Sequence, residues 1–222
     1  MPEIHQVKDI WRLLAVGNGS ILEIRALWPK GVSPSKPAVT RHFRVRDFAS
    51  MDACKGEFEA EARKLNGLGY NIYSVMNPIK ADFTGKAATD ADIRFYDLML
   101  IDIDRKGDTS CPATDEELAA AEELAAEISQ YLGEKNWPEP MRVMSGNGYH
   151  LYYLLKDLGN DKEAIALIKA TLSNLAKKFD TADVGVDKTV YNPSRITKVP
   201  GTLMRKGNES DDRPYRRAAF CE

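Results

Sequence analysis

The chain has 222 residues, 43% hydrophobic and 29% charged, with a formal net charge of −2, which is enough apolar material for one large domain or two small ones. Near-neutral charge excludes a protein that coats nucleic acid indiscriminately, and no apolar run reaches the length of a membrane helix. The cysteines, Cys54, Cys111 and Cys221, lack zinc-ligand spacing, and no basic-then-apolar leader opens the chain, so a reduced, cytoplasmic protein with no membrane partner is expected.

Residues 8–16 place Ile10, Trp11, Leu13 and Leu14 at helical spacing and predict a short helix. Residues 20–28 alternate as a strand. Pro29, Gly31, Pro34 and Pro37 mark a loop, and residues 39–45 predict a second strand bearing Arg41, Arg44 and Arg46. A helix is expected over 51–65, with Gly67 and Gly69 to stop it, then a short strand over 71–76 ending at Asn77-Pro78. These elements make a mixed α/β module spanning residues 1–94.

The stretch 96–105, Tyr-Asp-Leu-Met-Leu-Ile-Asp-Ile-Asp-Arg, reads as a buried central strand whose end is interrupted by two aspartates. A helix opens at Thr114, which forms a Thr-x-x-Glu capping box with Glu117, and runs to about residue 132. Strands over 141–145 and 149–155 are joined by Gly146-Asn147-Gly148, a second helix runs from near Asn160 to about 179, and extended pieces cover 184–187 and 189–199. The order β-α-β-β-α-β is that of a ferredoxin-like, RNA-recognition-motif-like (RRM-like) module over residues 95–222, and the whole reads as an α+β chain. The usual strand order 4-1-3-2 places the aspartate strand between the strand carrying His150 and the segment carrying Asp187.

Charge is uneven along the chain. Residues 12–46 hold seven Lys/Arg against the single acid Glu23, and residues 188–217 hold eight against Glu209, Asp211 and Asp212. Residues 115–134 carry seven acids and no base, so the surface is expected to be polarised, with basic regions open to phosphates.

The chemistry concentrates at four places. Asp102 and Asp104 alternate onto one face of their strand, roughly 7 Å apart along the chain, and a buried carboxylate pair calls for a cation or a shared proton. Ser145-Gly146-Asn147-Gly148-Tyr149-His150 combines a turn whose glycines bring backbone N–H groups close to an anion with two side chains able to donate to phosphate, although Gly-Asn-Gly by itself is ordinary hairpin chemistry. Asp187 would supply a third carboxylate, with Asp183 as its competitor, and three acids can hold two divalent ions for phosphoryl transfer. Arg195 and Lys198 follow it and suit a triphosphate, the arginine gripping bidentately and the lysine acting as a point charge.

Ile101-Asp102-Ile103-Asp104, the Ser145-Gly-x-Gly-x-His150 stretch, Val186-Asp187 and Asn192-Pro193-Ser194-Arg195 together resemble, in order, the motifs of the archaeo-eukaryotic primase superfamily, most closely the primase-polymerases of plasmids, phages and other mobile elements. Residues 71–78 also look like the strand preceding the first motif. The likeness covers residues 70–205 firmly and the N-terminal module loosely. It implies Asp102, Asp104 and Asp187 on two Mg²⁺ or Mn²⁺ ions, with Asp102, Asp104, Asp187 and His150 as the catalytic set. Ser145, Gly146, Gly148, His150, Arg195 and Lys198 would lie on the nucleotide, and Tyr73 and Asn77 are candidates to line its pocket. Arg41, Arg44 and Arg46 are candidates for template phosphates. The implied partners are a single-stranded DNA template, a primer strand and NTP or dNTP, with a helicase or accessory domain in a longer chain. Where some relatives carry a lysine beside the serine, this chain has Arg142 and Met144. Two competing readings are a metal-dependent nuclease or relaxase, which would want a tyrosine nucleophile or a histidine cluster, and a non-catalytic RRM-like binding module, which would want paired aromatics on the central strands.

Overall fold

In the computed structural model, which describes residues 6–221, the chain begins with a 3₁₀ helix, Val7–Arg12, shorter than the helix expected over 8–16. Next come β1 (Ile21–Leu27), β2 (Val39–Arg44), α1 (Met51–Gly67) and β3 (Asn71–Val75). Ser50 caps α1 by accepting the Ala53 N–H at 3.1 Å, and Cys54, Phe58, Ala62 and Leu65 form its buried stripe. After a long connection follow β4 (Phe95–Arg105), α2 (Asp115–Gly133), β5 (Met141–Met144), β6 (Tyr149–Gly159), α3 (Lys162–Phe179) and β7 (Val184–Val186). The chain finishes with β8 (Ile196–Lys198), β9 (Leu203–Met204), β10 (Arg216–Arg217) and β11 (Ala219–Phe220).

The capping box of Thr114 and Glu117 is formed as expected. Helix α3 starts later than Asn160. Asp161 is its cap, accepting from Ala164 N–H, while the Asn160 amide donates instead to the carbonyls of Asp90 and Ile93, both at 2.8 Å. The extended piece expected over 189–199 forms a strand only at Ile196–Lys198, because the Asn192-Pro193-Ser194 turn, closed by Arg195 N–H on the Asn192 carbonyl at 3.1 Å, interrupts it.

Two larger antiparallel sheets and a two-stranded ribbon of β9 and β10 result. One larger sheet has the order β2-β1-β3-β8, the other β11-β5-β6-β4-β7. Read from β7, the second sheet is the anticipated 4-1-3-2 order with β11 added at its edge. β8 crosses a boundary drawn at residue 94, since a segment from the C-terminal part completes the N-terminal sheet. Helix α1 covers the first sheet and α2 and α3 the second, and residues of both sheets face one another across a cleft.

Along β4, Met99, Ile101 and Ile103 are at most 2% exposed and alternate with Asp102 and Asp104. Each buried aliphatic side chain contributes about 1.5–3 kcal/mol. A slip of one residue would exchange Ile101 and Ile103 for the aspartates, so the hydrophobic pattern itself locks the acid pair onto the cleft face.

Candidate active site

The cleft holds about 270 Å³ and is walled by Asp102 and Asp104 of β4, Ser145 and Asn147 of the β5–β6 turn, His150 of β6, Tyr73 of β3, Arg195, Ile196 and Lys198 at β8, and Met204 and Lys206 beyond it. Residues 73, 102, 104, 145, 150, 195 and 198 had each been singled out from the sequence, and the fold brings all seven together.

Asp102 stands directly opposite His150 in the β4–β6 ladder, so their side chains share a face. His150 Nε2 lies 3.3 Å from Asp102 Oδ1, and Nδ1 lies 2.8 Å from the Tyr152 hydroxyl. That hydroxyl is hydrogen-bonded in turn to the Thr197 hydroxyl of β8. Both ring nitrogens of His150 face a polar partner, Nε2 the Asp102 carboxylate and Nδ1 the Tyr152 hydroxyl. A buried polar chain therefore runs from the acid pair through one sheet into the other and fixes the imidazole plane.

The two aspartates titrate in opposite directions. Burial opposes ionisation of Asp102, but the charge and hydrogen bond of His150, with Arg195 and Lys206 beyond, hold its carboxyl below the usual range. Burial, with the negative Asp102 beside it, pushes Asp104 up to about 6, against the pull of Lys206 and His150. Asp104 Oδ1 is buried and has no hydrogen-bond partner. A buried carboxylate oxygen without a donor, next to a second carboxylate, is the environment a hard divalent cation relieves, so the residues present fit such an ion.

The expected third acid is less far assembled. Asp187 follows β7 directly, and its N–H donates to the Asp102 carbonyl at 2.8 Å, which sets it alongside the acid strand. Its Oδ1 accepts from both the N–H and the hydroxyl of Thr189, each at 2.8 Å. Among the described residues no three His, Cys, Asp or Glu side chains are grouped closely enough to hold a metal ion as they stand. The backbone pairing sets Asp187 alongside the acid strand, and its carboxylate is engaged by Thr189.

Three cations enter the cleft. Arg195 donates to the Thr189 carbonyl at 2.8 Å while its buried Nε has no partner. It is aimed by Asp90, which accepts the Ser194 N–H at 3.0 Å, the Ser194 hydroxyl at 2.6 Å and the Asn192 amide at 3.3 Å. Lys198 differs from a solvated point charge. It is 1% exposed, its ammonium donates to the Leu203 carbonyl at 3.3 Å, and burial, with the like charges of Arg205 and Arg217, holds its pKa well below the lysine range. Lys206 was not singled out from the sequence. Burial lowers its pKa while Asp104 resists the change, and its only signal in the chain was the general basic excess of residues 188–217. Tyr73 lies between these groups, its hydroxyl pushed up to about 12 by burial and by Asp102 and Asp104.

The glycine turn is built differently from an open nest of N–H donors. Ser145 N–H and hydroxyl both reach the Gly148 carbonyl, at 2.9 and 3.1 Å, and Gly146 N–H points at Met144 Sδ at 3.0 Å. Gly148 is required by proximity, since a Cβ there would run into the Ile103 carbonyl and crowd Asp104. Gly146 has φ +113° and lies against Met204. Gly148 thus lets the turn press against the acid strand, and Gly146 lets it press against Met204.

Four other expected residues fall outside the cleft. Asn77 is 3% exposed and spends its side chain on the backbone, accepting Asp97 and Leu98 N–H at 3.0 Å and donating to the Pro193 carbonyl at 3.0 Å. It is a tie between loops. Arg41 pairs with Glu61 of α1 at 3.2 Å, and Arg44 donates to the Phe83 carbonyl. Arg46 lies past the end of β2, in a 3₁₀ turn beside Asp47, so Arg44 and Arg46 do not share a strand face. All three sit at the sheet edge remote from β8.

The site thus belongs to an α+β domain whose cleft joins paired carboxylates, a histidine fixed between them and Tyr152, and the side chains of Arg195, Lys198 and Lys206. No protein-family model and no curated protein matches the sequence. Solved structures match over nearly the whole chain. The archaeo-eukaryotic primase domain of the cyanophage S-2L primase-polymerase is 19% identical with a TM-score of 0.57, covering 98% of this chain and 88% of that one. The polymerase domain of Mycobacterium tuberculosis Ligase D, solved with DNA, is 16% identical with a TM-score of 0.53, covering 95% and 78%. The primase RepB′ is 12% identical with a TM-score of 0.51, covering 97% of this chain and 55% of that one. The chain shares its fold with these primase and polymerase domains. No helix among the described residues is long and apolar enough to cross a membrane.

Proposed function

We propose that the chain is a nucleotidyltransferase that builds or extends a strand on a single-stranded DNA template. A 3′-hydroxyl attacks the α-phosphate of a nucleoside triphosphate, the new phosphodiester forms, and pyrophosphate leaves. The observation that carries the reading is the unpartnered Asp104 Oδ1 beside Asp102, in a cleft also holding His150, Arg195, Lys198 and Lys206. Asp102 and Asp104 would hold Mg²⁺ or Mn²⁺, joined by Asp187 once its carboxylate leaves Thr189. When bound, the ions lower the pKa of the attacking hydroxyl and stabilise charge on the leaving oxygen. Arg195 and Lys206 offset the charge of the triphosphate, Ser145 and His150 Nε2 would donate to its oxygens once released from the Gly148 carbonyl and from Asp102, and the Tyr152–Thr197 pair keeps the imidazole in place.

The test is a gel assay with single-stranded template, labelled NTP or dNTP and either cation, with and without an annealed primer. Products without primer that vanish in Asp102→Ala/Asp104→Ala establish a primase, and extension of a primer alone establishes a polymerase. Absence of incorporation under all these conditions refutes the reading.

A further inference from the structure

The loop between β1 and β2 carries a feature outside the catalytic cleft. Residues 28–38 form an open recess of about 560 Å³ lined by Trp28, Lys30, Val32, Ser35 and Lys36. Leu27 lines this recess and also the catalytic cleft, so the two adjoin at that side chain. The loop is held in shape. Trp28 Nε1 donates to the Val32 carbonyl at 3.0 Å, and Gly207 N–H donates to the Lys30 carbonyl at 2.8 Å, which fastens the loop to the segment bearing Lys206.

Its charge is one-sided. Between Glu23 and Asp47 the sequence has no acid, Lys30 and Lys36 are exposed, and among the described residues neither is in an ion pair. The Lys36 ammonium lies 4.3 Å over the half-buried Trp28 ring, whose other contacts include an edge-on packing against Tyr70 at 5.2 Å. An indole face with a flexible exposed ammonium over it, in a recess that also holds the exposed Lys30, has the elements of a stacking platform with phosphate contacts. By contrast, Arg41 and Arg44, the sequence's own candidates for phosphate binding, are committed to Glu61 and to the Phe83 carbonyl.

We propose that the recess of residues 28–38 binds the single-stranded DNA that passes through the catalytic cleft, with one base stacked on Trp28 in place of the Lys36 ammonium and Lys30 and Lys36 on adjacent phosphates. The inference rests on the nucleotidyl-transfer reading for why a strand should leave the cleft at Leu27. Its own content is the route of that strand.

The test is fluorescence anisotropy of labelled single-stranded DNA on the whole protein over a series of salt concentrations. The proteins are the wild type, Lys30→Glu/Lys36→Glu, Trp28→Leu, and Lys162→Glu/Lys177→Glu, a control that makes the same charge change on the exposed side of α3. For the loop lysine variant, affinity falls at least tenfold and the slope of log K against log salt flattens by about 1.4, the value for two phosphates of single-stranded DNA. Trp28→Leu loses affinity at unchanged slope, and the α3 control keeps wild-type binding. Wild-type affinity and slope in the loop lysine variant, or an equal loss in the α3 control, overturns the proposed route while leaving the nucleotidyl-transfer reading intact. A wild type that neither binds single-stranded DNA nor incorporates nucleotide overturns both.

Discussion

Replacing Asp104 with asparagine tests the electrostatics of the acid pair independently of catalysis. The carboxyl is raised from an ordinary 3.8 to about 6 by burial and by Asp102, so its ionisation opposes folding. Two pKa units at 1.36 kcal/mol each give about 3 kcal/mol. The stabilising effect of the protonated form is fully present below pH ~4, is lost as pH rises from about 4 to 6, and is absent above that. Asp104→Asn keeps the shape without the charge. In a metal chelator it should therefore be more stable than wild type by about 3 kcal/mol at pH 8, roughly 6–12 °C in Tm for a chain of this size, and equal to it near pH 4. Asp102 is present in both proteins, so the difference reports Asp104. Thermal unfolding at pH 4, 6 and 8 measures it, with Mn²⁺ added in a second series. Manganese should raise the Tm of wild type and leave the variant unmoved. A variant no more stable than wild type at pH 8, or a gap that persists at pH 4, refutes the account of the pair.

Other expectations follow from contacts at the site. Gly148→Ala drives a methyl group into the Ile103 carbonyl, so it should cost more than about 2 kcal/mol in urea unfolding, whereas Gly17→Ala, with nothing within 4 Å, should be close to neutral. Tyr152→Phe leaves His150 Nδ1 and the Thr197 hydroxyl without their shared partner, predicting a loss of about 1–3 kcal/mol in urea unfolding and a fall in kcat in primer extension; an unchanged kcat would mean that this pair does not hold the imidazole for the reaction. Asp90→Ala frees the Asn192-Pro193-Ser194 turn and should raise KM for the nucleotide at least several-fold through Arg195, with DNA affinity in the absence of nucleotide unaltered.

Much of the site was legible because its signals are local. The alternation that buries Ile101 and Ile103 also aims Asp102 and Asp104, so one ten-residue stretch specifies both the strand and its chemistry. The Thr114–Glu117 box is local in the same sense. What escaped was set by partners far away in the chain. Lys206 gives no individual signal until Gly207 is tied to Lys30 and the segment is laid against Asp104. Asn77 looked like a pocket residue because a polar side chain after a strand has two common fates, and only the arrival of β4 and the residue 193 turn, which take all three of its hydrogen bonds, selects between them.

The sequence by itself determined the order of the larger strands and helices as far as β7, the face on which the aspartates lie, and the four short motifs, since each depends on periodicity or on residues a few positions apart. Tertiary structure alone decided that β8 leaves the second sheet to complete the first. From that crossing come the burial of Lys198, the reach of Thr197 to Tyr152, and the entry of Arg195 into the cleft. The physical reason is that hydrogen-bond pairing between strands distant in sequence, unlike the alternation within one strand, is settled by which apolar faces pack together, and no local pattern encodes that choice.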